Sequence, residues 1–147
     1  MSTTEIINQT INSIFEDMYF MFPEQIVNPE SLFTLPMNTF VATTRFTKDE
    51  GGINLYAEDK LVSQMAMNFL GEKRTFEYIE LIDIFKEAAN VIVGNYITAT
   101  NKPPEVGFEI PVVEPTRIIS WNTDKSYVID SIYDIEKFYF RITLTGK

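Results

Sequence analysis

The chain has 147 residues and contains neither histidine nor cysteine, which excludes imidazole catalysis, thiol nucleophiles, disulfides and Cys/His zinc sites. Its 12 basic and 21 acidic residues give a net charge of −9, which argues against nucleic acid and against an anionic membrane surface as partners. The length fits a single domain over residues 1–147. The start lacks a signal-like basic region and no apolar run reaches transmembrane length, so we expect a cytoplasmic location.

The chain begins with a predicted helix over residues 3–22, TTEIINQTINSIFEDMYFMF. Thr3 or Thr4 is the expected cap, and Pro23 is expected to end the helix because proline cannot continue it. Residues 23–38 contain three prolines and are predicted to form a loop across the surface.

A hairpin and a second helix are predicted next. Residues 39–47 (TFVATTRFT) alternate and are rich in β-branched side chains, and the turn KDEGG connects them to a second strand, INLYA. Residues 58–71 (EDKLVSQMAMNFLG) have the pattern of an amphipathic helix, with acids in its first turn and Gly71 just past its end.

The second half of the chain opens with a long apolar helix, predicted from about Glu77 to Asn101 and stopped by two prolines. Three strands are predicted after it, over residues 106–113, 126–133 and 137–145. Helices and antiparallel strands in separate runs indicate an α+β fold.

Four residues interrupt the apolar character of the long helix. Asp83, Glu87, Asn90 and Gly94 follow the spacing i, i+4, i+7, i+11, which places them on one stripe of a helix. The remaining positions are mostly apolar, so a helix buried on most sides with one polar strip is predicted. A glycine within a helix costs about 1 kcal/mol relative to alanine. The bare backbone at Gly94 therefore indicates that something approaches the helix closely.

Common catalytic motifs are missing from the sequence. Gly51-Gly52 is the only glycine pair and belongs to the hairpin turn, so neither a phosphate-binding loop nor a dinucleotide fingerprint is present. No serine lies in a nucleophile-elbow pattern. Asp83 and Glu87 alone rarely complete a metal coordination shell. Any chemistry of this chain is expected to work by positioning and electrostatics.

The pattern Asp83-x3-Glu87-x2-Asn90-x3-Gly94 resembles the signature helix of the CheC–CheX–FliY phosphatases of bacterial chemotaxis. The preceding segment GGINLYAEDKLVSQMAMNFLGE and the following segment FEIPVVEPTRI are similar to the corresponding parts of CheX-type members. The resemblance extends from about residue 40 to the end. It implies a CheC-like α+β domain, with a mostly antiparallel sheet packed against long helices and a signature helix that exposes one polar stripe.

The resemblance also implies a function. Members of this family dephosphorylate the phospho-aspartate of a CheY-type response regulator. By correspondence, Asn90 is expected to orient the attacking water and Glu87 to contact the regulator's lysine. The chain itself is expected to hold no cofactor, since the required Mg²⁺ belongs to the partner regulator. Asp83, Lys86 and Gly94 are expected to take part in partner binding. Phosphoryl transfer demands little covalent work from the protein, which agrees with the missing motifs.

Other interpretations of these residues stay open at this point. Asp83 could be an ordinary solvated residue, and Glu87 could pair with Lys86 or Lys102 or with nothing. The chain could also be a non-catalytic module that binds response regulators, as flagellar-switch relatives do. An enzyme acting on a small molecule is the third possibility, without visible pocket chemistry to support it.

One residue departs from the family pattern, and one segment copies part of it. Lys86 stands where the family usually has a small residue, and it could shield Glu87 or contact an acidic partner. Glu5, Asn8 and Asn12 in the first helix repeat the E-x2-N-x3 spacing. This copy lacks the preceding acid and has asparagine in place of the glycine, so we do not expect a working second site.

A homodimer is expected from the resemblance, because CheX relatives join their sheets. The strand KFYFRITLT is long and rich in aromatic and β-branched residues. Exposed at a sheet edge it would be an aggregation hazard, so some edge is expected to be paired in the dimer.

Overall fold

The computed structural model describes residues 1–27, 37–118, 124 and 126–146. Within these residues the chain forms three helices, which are α1 (Thr3–Tyr19), α2 (Asp59–Leu70) and α3 (Tyr78–Ala99). The strands are β1 (Pro23–Gln25), β2 (Met37–Thr47), β3 (Gly52–Glu58), β4 (Gly107–Phe108), β5 (Val112–Ile118), β6 (Ile129–Ile135) and β7 (Phe138–Thr145).

The strands build an antiparallel sheet in the order β1-β6-β7-β3-β2, and β2 pairs along its other side with β5 and with β4. The predicted β2–β3 hairpin is confirmed. The end of α2 is confirmed as well, because Gly71 has the left-handed conformation (φ 68°) in which glycine, lacking a Cβ atom, carries no steric penalty. The expected α+β class and the antiparallel sheet are therefore correct.

The bounds of α1 differ from the prediction at both ends. The side chain of Ser2, and not of Thr3 or Thr4, caps the helix, because Ser2 Oγ accepts a hydrogen bond from the Glu5 amide. The helix ends at Tyr19 and is followed by Phe20 in the left-handed conformation, so Pro23 does not end it.

The loop predicted over residues 23–38 is only partly correct. Pro23 begins the short strand β1, which pairs with the end of β6. The strand β2 already begins at Met37. The other two prolines of this stretch, at positions 29 and 36, lie outside the described residues.

The single strand predicted over residues 106–113 is wrong. It is divided into β4 and β5, which pair with different parts of β2. Residues 109–111 stand opposite only Thr44 and Arg45 of β2, so one extra residue shifts the register between the two strands. The next strand, β6, begins at Ile129 rather than at residue 126 and extends two residues beyond the predicted end.

The strand β7 lies inside the sheet, with β6 on one side and β3 on the other. KFYFRITLT is therefore not an edge strand, so the aggregation hazard expected of it at an exposed edge does not arise. In the described part of the chain the sheet ends instead at the three-residue strand β1 and at β5, most of whose residues are exposed.

The core lies between the helices and one face of the sheet. Buried residues of β2, β3 and β7 stand side by side in register, for example Phe40, Ala57 and Phe140, and they join the buried faces of all three helices in one cluster. The alternation of buried and exposed residues along β2 is the pattern of a strand with one covered face. None of the described helices is both long and apolar enough to cross a bilayer.

The opposite face of the sheet carries a buried ion pair. Arg141 of β7 and Asp130 of β6 approach to 2.6 Å, and their side chains are 12% and 5% exposed. The guanidinium also lies over the rings of Tyr56 and Tyr127. Tyr56 and Tyr127 are themselves half-buried, so the outer face of the sheet is not fully solvated around this pair.

Candidate functional site

The site is built on α3, whose start is fixed by a reciprocal capping box. The Glu77 side chain accepts a hydrogen bond from the backbone of the first turn, and the Glu80 carboxylate accepts one from the Glu77 amide. Arg74 donates to both Glu72 and Glu80, which ties the α2–α3 connection to the first turn. These exposed contacts hold the pKa of Glu80 at about 2, chiefly through the hydrogen bond from Arg74.

The inner side of α3 is fully used in packing. Its buried residues recur at helical spacing and belong to the core cluster: Leu81, Phe85, Ala88, Ala89, Ile92, Val93 and Tyr96. The helix is therefore held in a fixed rotation about its own axis, which determines the residues that face outward.

The four predicted strip residues are all on the outward side of α3. Asp83 and Glu87 are exposed, and Asn90 and Gly94 are half-buried. Within the described residues, the side chains of Asp83, Glu87 and Asn90 make no hydrogen bond or ion pair. The structure thus brings together two carboxylates, one amide and a bare backbone position along one helix face. We call these four residues the polar strip; their functional roles stay predictions.

The lysines considered as partners of Glu87 are engaged elsewhere or unpaired. Lys102 Nζ lies 2.9 Å from Asp49 Oδ2 and over the ring of Phe46. Lys86 is half-buried beside the polar strip and makes no ion pair with another described residue. The Glu87 carboxylate is consequently available to a partner from outside the described chain.

In the structure, the ring of Phe108 from the same chain lies near Gly94, a neighbour that the sequence did not reveal. A Cβ atom at Gly94 would lie 3.8 Å from two ring atoms of Phe108, in β4. That distance is an ordinary van der Waals contact, so the chain's own fold does not require glycine there. The nearby Phe108 ring therefore does not explain why a glycine stands at this position. A role for Gly94 in partner binding stays a prediction.

The C-terminal ends of α1 and α2 meet at Tyr19, a neighbourhood that sequence analysis missed. Burial, together with the negative charge of Glu87, raises the pKa of Tyr19. The Tyr19 carbonyl accepts a hydrogen bond from Asn68 of α2 at 2.8 Å, and its ring contacts that of Phe69. Tyr19 falls on the apolar face of α1 and has the sequence pattern of a core residue, so no local signal distinguished it.

Two of the α1 residues that repeat the motif spacing, Glu5 and Asn8, form hydrogen bonds within the fold. Asn8 donates to Gln25 at 3.1 Å and accepts a hydrogen bond from the Tyr133 hydroxyl. Glu5 accepts a hydrogen bond from Ser2 at the start of the helix. Asn12 is half-buried. These bonds give Asn8 a structural role within the fold, and the expectation that α1 holds no working second site stays a prediction.

A metal site was not expected in this chain. Among the described residues, no group of three or more acidic side chains is placed to hold a metal ion. In the polar strip, Asp83 and Glu87 are one helical turn apart, and no third acidic side chain among the described residues joins them. The arrangement therefore offers hydrogen-bonding and charged groups to an approaching molecule rather than a coordination site.

Known structures show which class of fold this is. A CheX chemotaxis protein from Desulfovibrio desulfuricans matches with a TM-score of 0.72 and 14% identity over 100% of both chains. CheX in a CheX–CheY–BeF3–Mg²⁺ complex from Borrelia burgdorferi matches with a TM-score of 0.65 and 14% identity, over 98% of this chain and 97% of that one. The FliM middle domain from Vibrio alginolyticus matches with a TM-score of 0.58 and 16% identity, over 99% and 94%. The fold is that of the CheC-like chemotaxis proteins.

Comparison with family models identifies the family, within this fold, to which the chain belongs. The model described as "Chemotaxis phosphatase CheX" matches residues 40–129, which is more than half of the chain and includes the whole of α3. The chain therefore belongs to the CheX family. No curated protein has a sequence that matches it.

Proposed function

We propose that this protein is a phosphatase that removes the phosphoryl group from the phospho-aspartate of a CheY-type response regulator. Membership of the CheX family supports a chemotaxis phosphatase. The complex of a structurally similar CheX with CheY, BeF3 and Mg²⁺ supports CheY as the kind of partner. The observation that carries the proposal is that Glu87 and Asn90 face outward on a rigidly packed helix, without internal partners among the described residues.

The chemistry follows from what an amide and a carboxylate can do. An aspartyl phosphate is an activated acyl phosphate, so fixing one water in line with phosphorus is a sufficient contribution from the phosphatase. The Asn90 amide donates and accepts hydrogen bonds, which suits it to hold that water. The Glu87 carboxylate forms an ion pair with the regulator's lysine beside the phosphoryl group. Mg²⁺ is supplied by the regulator.

The other residues of this face contribute to docking. Asp83 extends the acidic character of the polar strip by one turn, and Gly94 leaves room for the regulator's backbone. Lys86 meets an acidic residue of the partner, since it is unpaired within the described chain. Removing the charge of Asp83 or of Lys86 is therefore expected to alter affinity for the regulator more than turnover.

The test is to follow dephosphorylation of a regulator over time, comparing the parent with Asn90→Ala. We expect turnover to fall by about 10²–10³-fold, the scale of losing one preorganised polar group from a transition state. Binding to the beryllofluoride-activated regulator should persist, and unfolding free energy should change by less than about 1 kcal/mol. Asn95→Ala is the matched control, because Asn95 lies on α3 outside the polar strip and bonds only to the Val91 carbonyl among the described residues.

The same experiment separates the proposal from a second candidate, a module that binds regulators without consuming their phosphate. This candidate has support because the fold is shared with the FliM middle domain. A parent protein that binds the activated regulator but leaves its phosphate lifetime unchanged would establish the binding module. Parent-level turnover in Asn90→Ala would remove Asn90 from the mechanism.

We further propose that the protein forms a homodimer through the edge strand β5. Among the residues that the structure describes, this strand pairs only with β2, and Val112 at its start is 57% exposed. The outward backbone groups of this seven-residue edge, apart from Pro115, which lacks an amide hydrogen, are a template for a second sheet. The opposite edge, β1, has only three residues and offers a much shorter ladder.

A further inference from the structure

The first turn of α3 exposes a large hydrophobic side chain, Ile79, which is 70% exposed. α3 lies wholly within the described residues, and Tyr78 is its only other exposed large hydrophobic residue. The Tyr78 ring packs against Phe40 of the sheet, with the ring centroids 5.1 Å apart. Ile79, in contrast, is outside the core cluster and is not among the described side chains that pack against it. The packing of the described core therefore does not account for Ile79.

Ile79 lies on the same face of α3 as the polar strip. At 3.6 residues per turn, its position is rotated about 40° from Asp83 and about 20° from Asn90 around the helix axis. Ile79 precedes Asp83 by four residues, a spacing that makes two helix residues neighbours, with about 5–6 Å between their Cβ atoms. The polar strip therefore continues into an apolar residue at its N-terminal end.

The start of α3 holds the backbone of Ile79 in place although the side chain is exposed. The reciprocal capping box between Glu77 and Glu80 closes the turn that contains Ile79. The Arg74 guanidinium adds two hydrogen bonds to the Glu80 carboxylate, at 2.7 and 3.2 Å. Helix ends without such contacts fray, because their first amides lack partners. Little backbone entropy is therefore lost when a partner covers Ile79.

A protein that docks along the polar strip also covers Ile79. The helix face from Ile79 to Gly94 is about 22 Å long at 1.5 Å per residue. A stable protein interface buries about 800 Å² on each partner, a patch roughly 30 Å across, which spans this face. A regulator in contact with Asp83 has its surface within one helical turn of Ile79. This continuity on one helix distinguishes Ile79 from exposed apolar residues elsewhere, such as Val27 or Val128.

The polar strip by itself offers little that distinguishes one regulator from another. Glu87 and Asn90 are proposed to meet a lysine and a phosphoryl group, which every regulator dephosphorylated in this way must present. Selective affinity therefore needs a contact away from the reacting atoms. Ile79 is about 16 Å from Asn90 along the helix axis, so it meets a part of the regulator that the reaction does not constrain.

We propose that Ile79 is a docking residue for the response regulator and contacts an apolar patch on it, about 16 Å from Asn90 along the helix axis. The inference rests on the proposed function, because it takes the regulator as the occupant. In this arrangement Glu87 and Asn90 reach the phosphoryl group and Ile79 supplies apolar affinity. Ile79 touches no reacting atom, so it acts on binding and leaves the chemical step unchanged.

The test compares Ile79→Ala, which removes most of the apolar side chain, with Ile79→Leu, which keeps its apolar area. Alanine and leucine are both good helix formers, so the start of α3 should be retained. Val27→Ala is the matched control, since Val27 is 85% exposed and follows β1. That strand is at the opposite edge of the sheet from β2, β4 and β5, the strands that α3 contacts.

Binding is titrated with a CheY-type regulator activated by beryllofluoride and Mg²⁺, at low and at high ionic strength. Phosphate release is followed separately. Light scattering measures the molar mass of each variant without the regulator, and thermal unfolding verifies that the variants are folded.

We expect Ile79→Ala to weaken regulator binding about tenfold, the effect of removing part of one buried apolar side chain. The loss should be the same at both ionic strengths, because an apolar contact is not screened by salt, and turnover at saturation should be unchanged. Ile79→Leu and Val27→Ala should bind like the parent.

Parent-level affinity of Ile79→Ala, or an equal loss in Val27→Ala, would overturn the docking role of Ile79 and leave the phosphatase proposal intact. A lower molar mass of Ile79→Ala would assign Ile79 to a contact between two copies of this chain and would overturn its docking role as well. If the parent binds without releasing phosphate, the phosphatase proposal fails and the affinities still decide the role of Ile79. Absence of binding by the parent overturns both proposals.

Discussion

The hydroxyl of Tyr133 in β6 donates a hydrogen bond to Oδ1 of Asn8 in α1, which joins the first helix to the sheet. The other end of the same amide donates to Gln25 in β1. Tyr133 is only 1% exposed, and burial raises the pKa of its hydroxyl. The asparagine that copies the family spacing in α1 is therefore part of the framework.

Asn8→Ala is accordingly expected to reduce stability without reducing phosphatase activity. The buried Tyr133 hydroxyl would lose its acceptor, which costs about 1–3 kcal/mol. Chemical denaturation measures this loss. In the Asn8→Ala/Tyr133→Phe double variant, part of the loss should return, because no unpaired hydroxyl remains. A large fall in turnover with stability unchanged would show that Asn8 does form a second site.

Glu87→Ala is expected to weaken regulator binding and to make the remaining affinity less sensitive to salt. The proposed ion pair with the regulator's lysine is screened by ions, so its loss removes part of the salt dependence. Titrations at low and high ionic strength measure the effect. Glu50→Ala, in the exposed β2–β3 turn, removes the same charge elsewhere and should behave like the parent. Parallel salt curves for Glu87→Ala and the parent would contradict the proposed contact.

Gly94→Ala is expected to stabilise the fold and to weaken docking. The added methyl group meets Phe108 at an ordinary contact distance, and alanine favours the helix by up to about 1 kcal/mol. The same methyl group occupies space that the regulator is proposed to use. A raised melting temperature with weakened binding supports this assignment. A raised melting temperature with parent-level affinity would restrict Gly94 to packing within the chain.

Asp130→Ala is expected to be strongly destabilising, by about 3 kcal/mol, because it leaves the Arg141 guanidinium buried without its countercharge. The Asp124 amide would also lose its acceptor, since it donates to Asp130. Denaturant unfolding measures the effect. Adding Arg141→Met should restore part of the stability, since the buried charge is then removed as well. A loss below about 0.5 kcal/mol, typical of surface changes, would show that the pair is effectively solvated.

The β5 dimer predicts a concentration-independent molar mass of two chains at micromolar concentration. Val112→Lys places a charge on the exposed edge, a substitution that blunts strand pairing, and should shift the protein toward the monomer. Light scattering coupled to size exclusion measures both states. A parent that is already monomeric under these conditions would contradict the dimer.

The polar strip could be predicted from sequence because helical spacing alone fixes which residues share a face. Asp83, Glu87 and Asn90 needed no tertiary information, since they interrupt a stretch of the long helix that is otherwise mostly apolar. The location of β7 could not be predicted in this way. A strand rich in aromatic residues has the same sequence pattern whether its neighbouring strands are in this chain or in another. Only the pairing of β7 with β3 and β6 shows that it lies inside the sheet.

The sequence also did not reveal the exact end of α1 or contacts between residues that are far apart in the chain. Phe20 is an unusual residue for a left-handed helix end, where glycine is common, so the position of Pro23 suggested a later stop. Asn8 matched a functional spacing, but its partners Gln25 and Tyr133 are distant in sequence. The position of the Phe108 ring near Gly94 likewise arises from the return of the chain after α3.

The buried inner side of α3 has a consequence for how the protein meets its partner. The backbone that carries Glu87 and Asn90 is also the backbone that carries Phe85 and Ile92 into the core. These two groups are therefore aligned before any encounter, and little conformational entropy of the helix backbone is lost when a regulator arrives. Recognition by such a surface depends on complementary shape and charge in the partner, since this helix cannot adapt without disturbing the packing of the molecule.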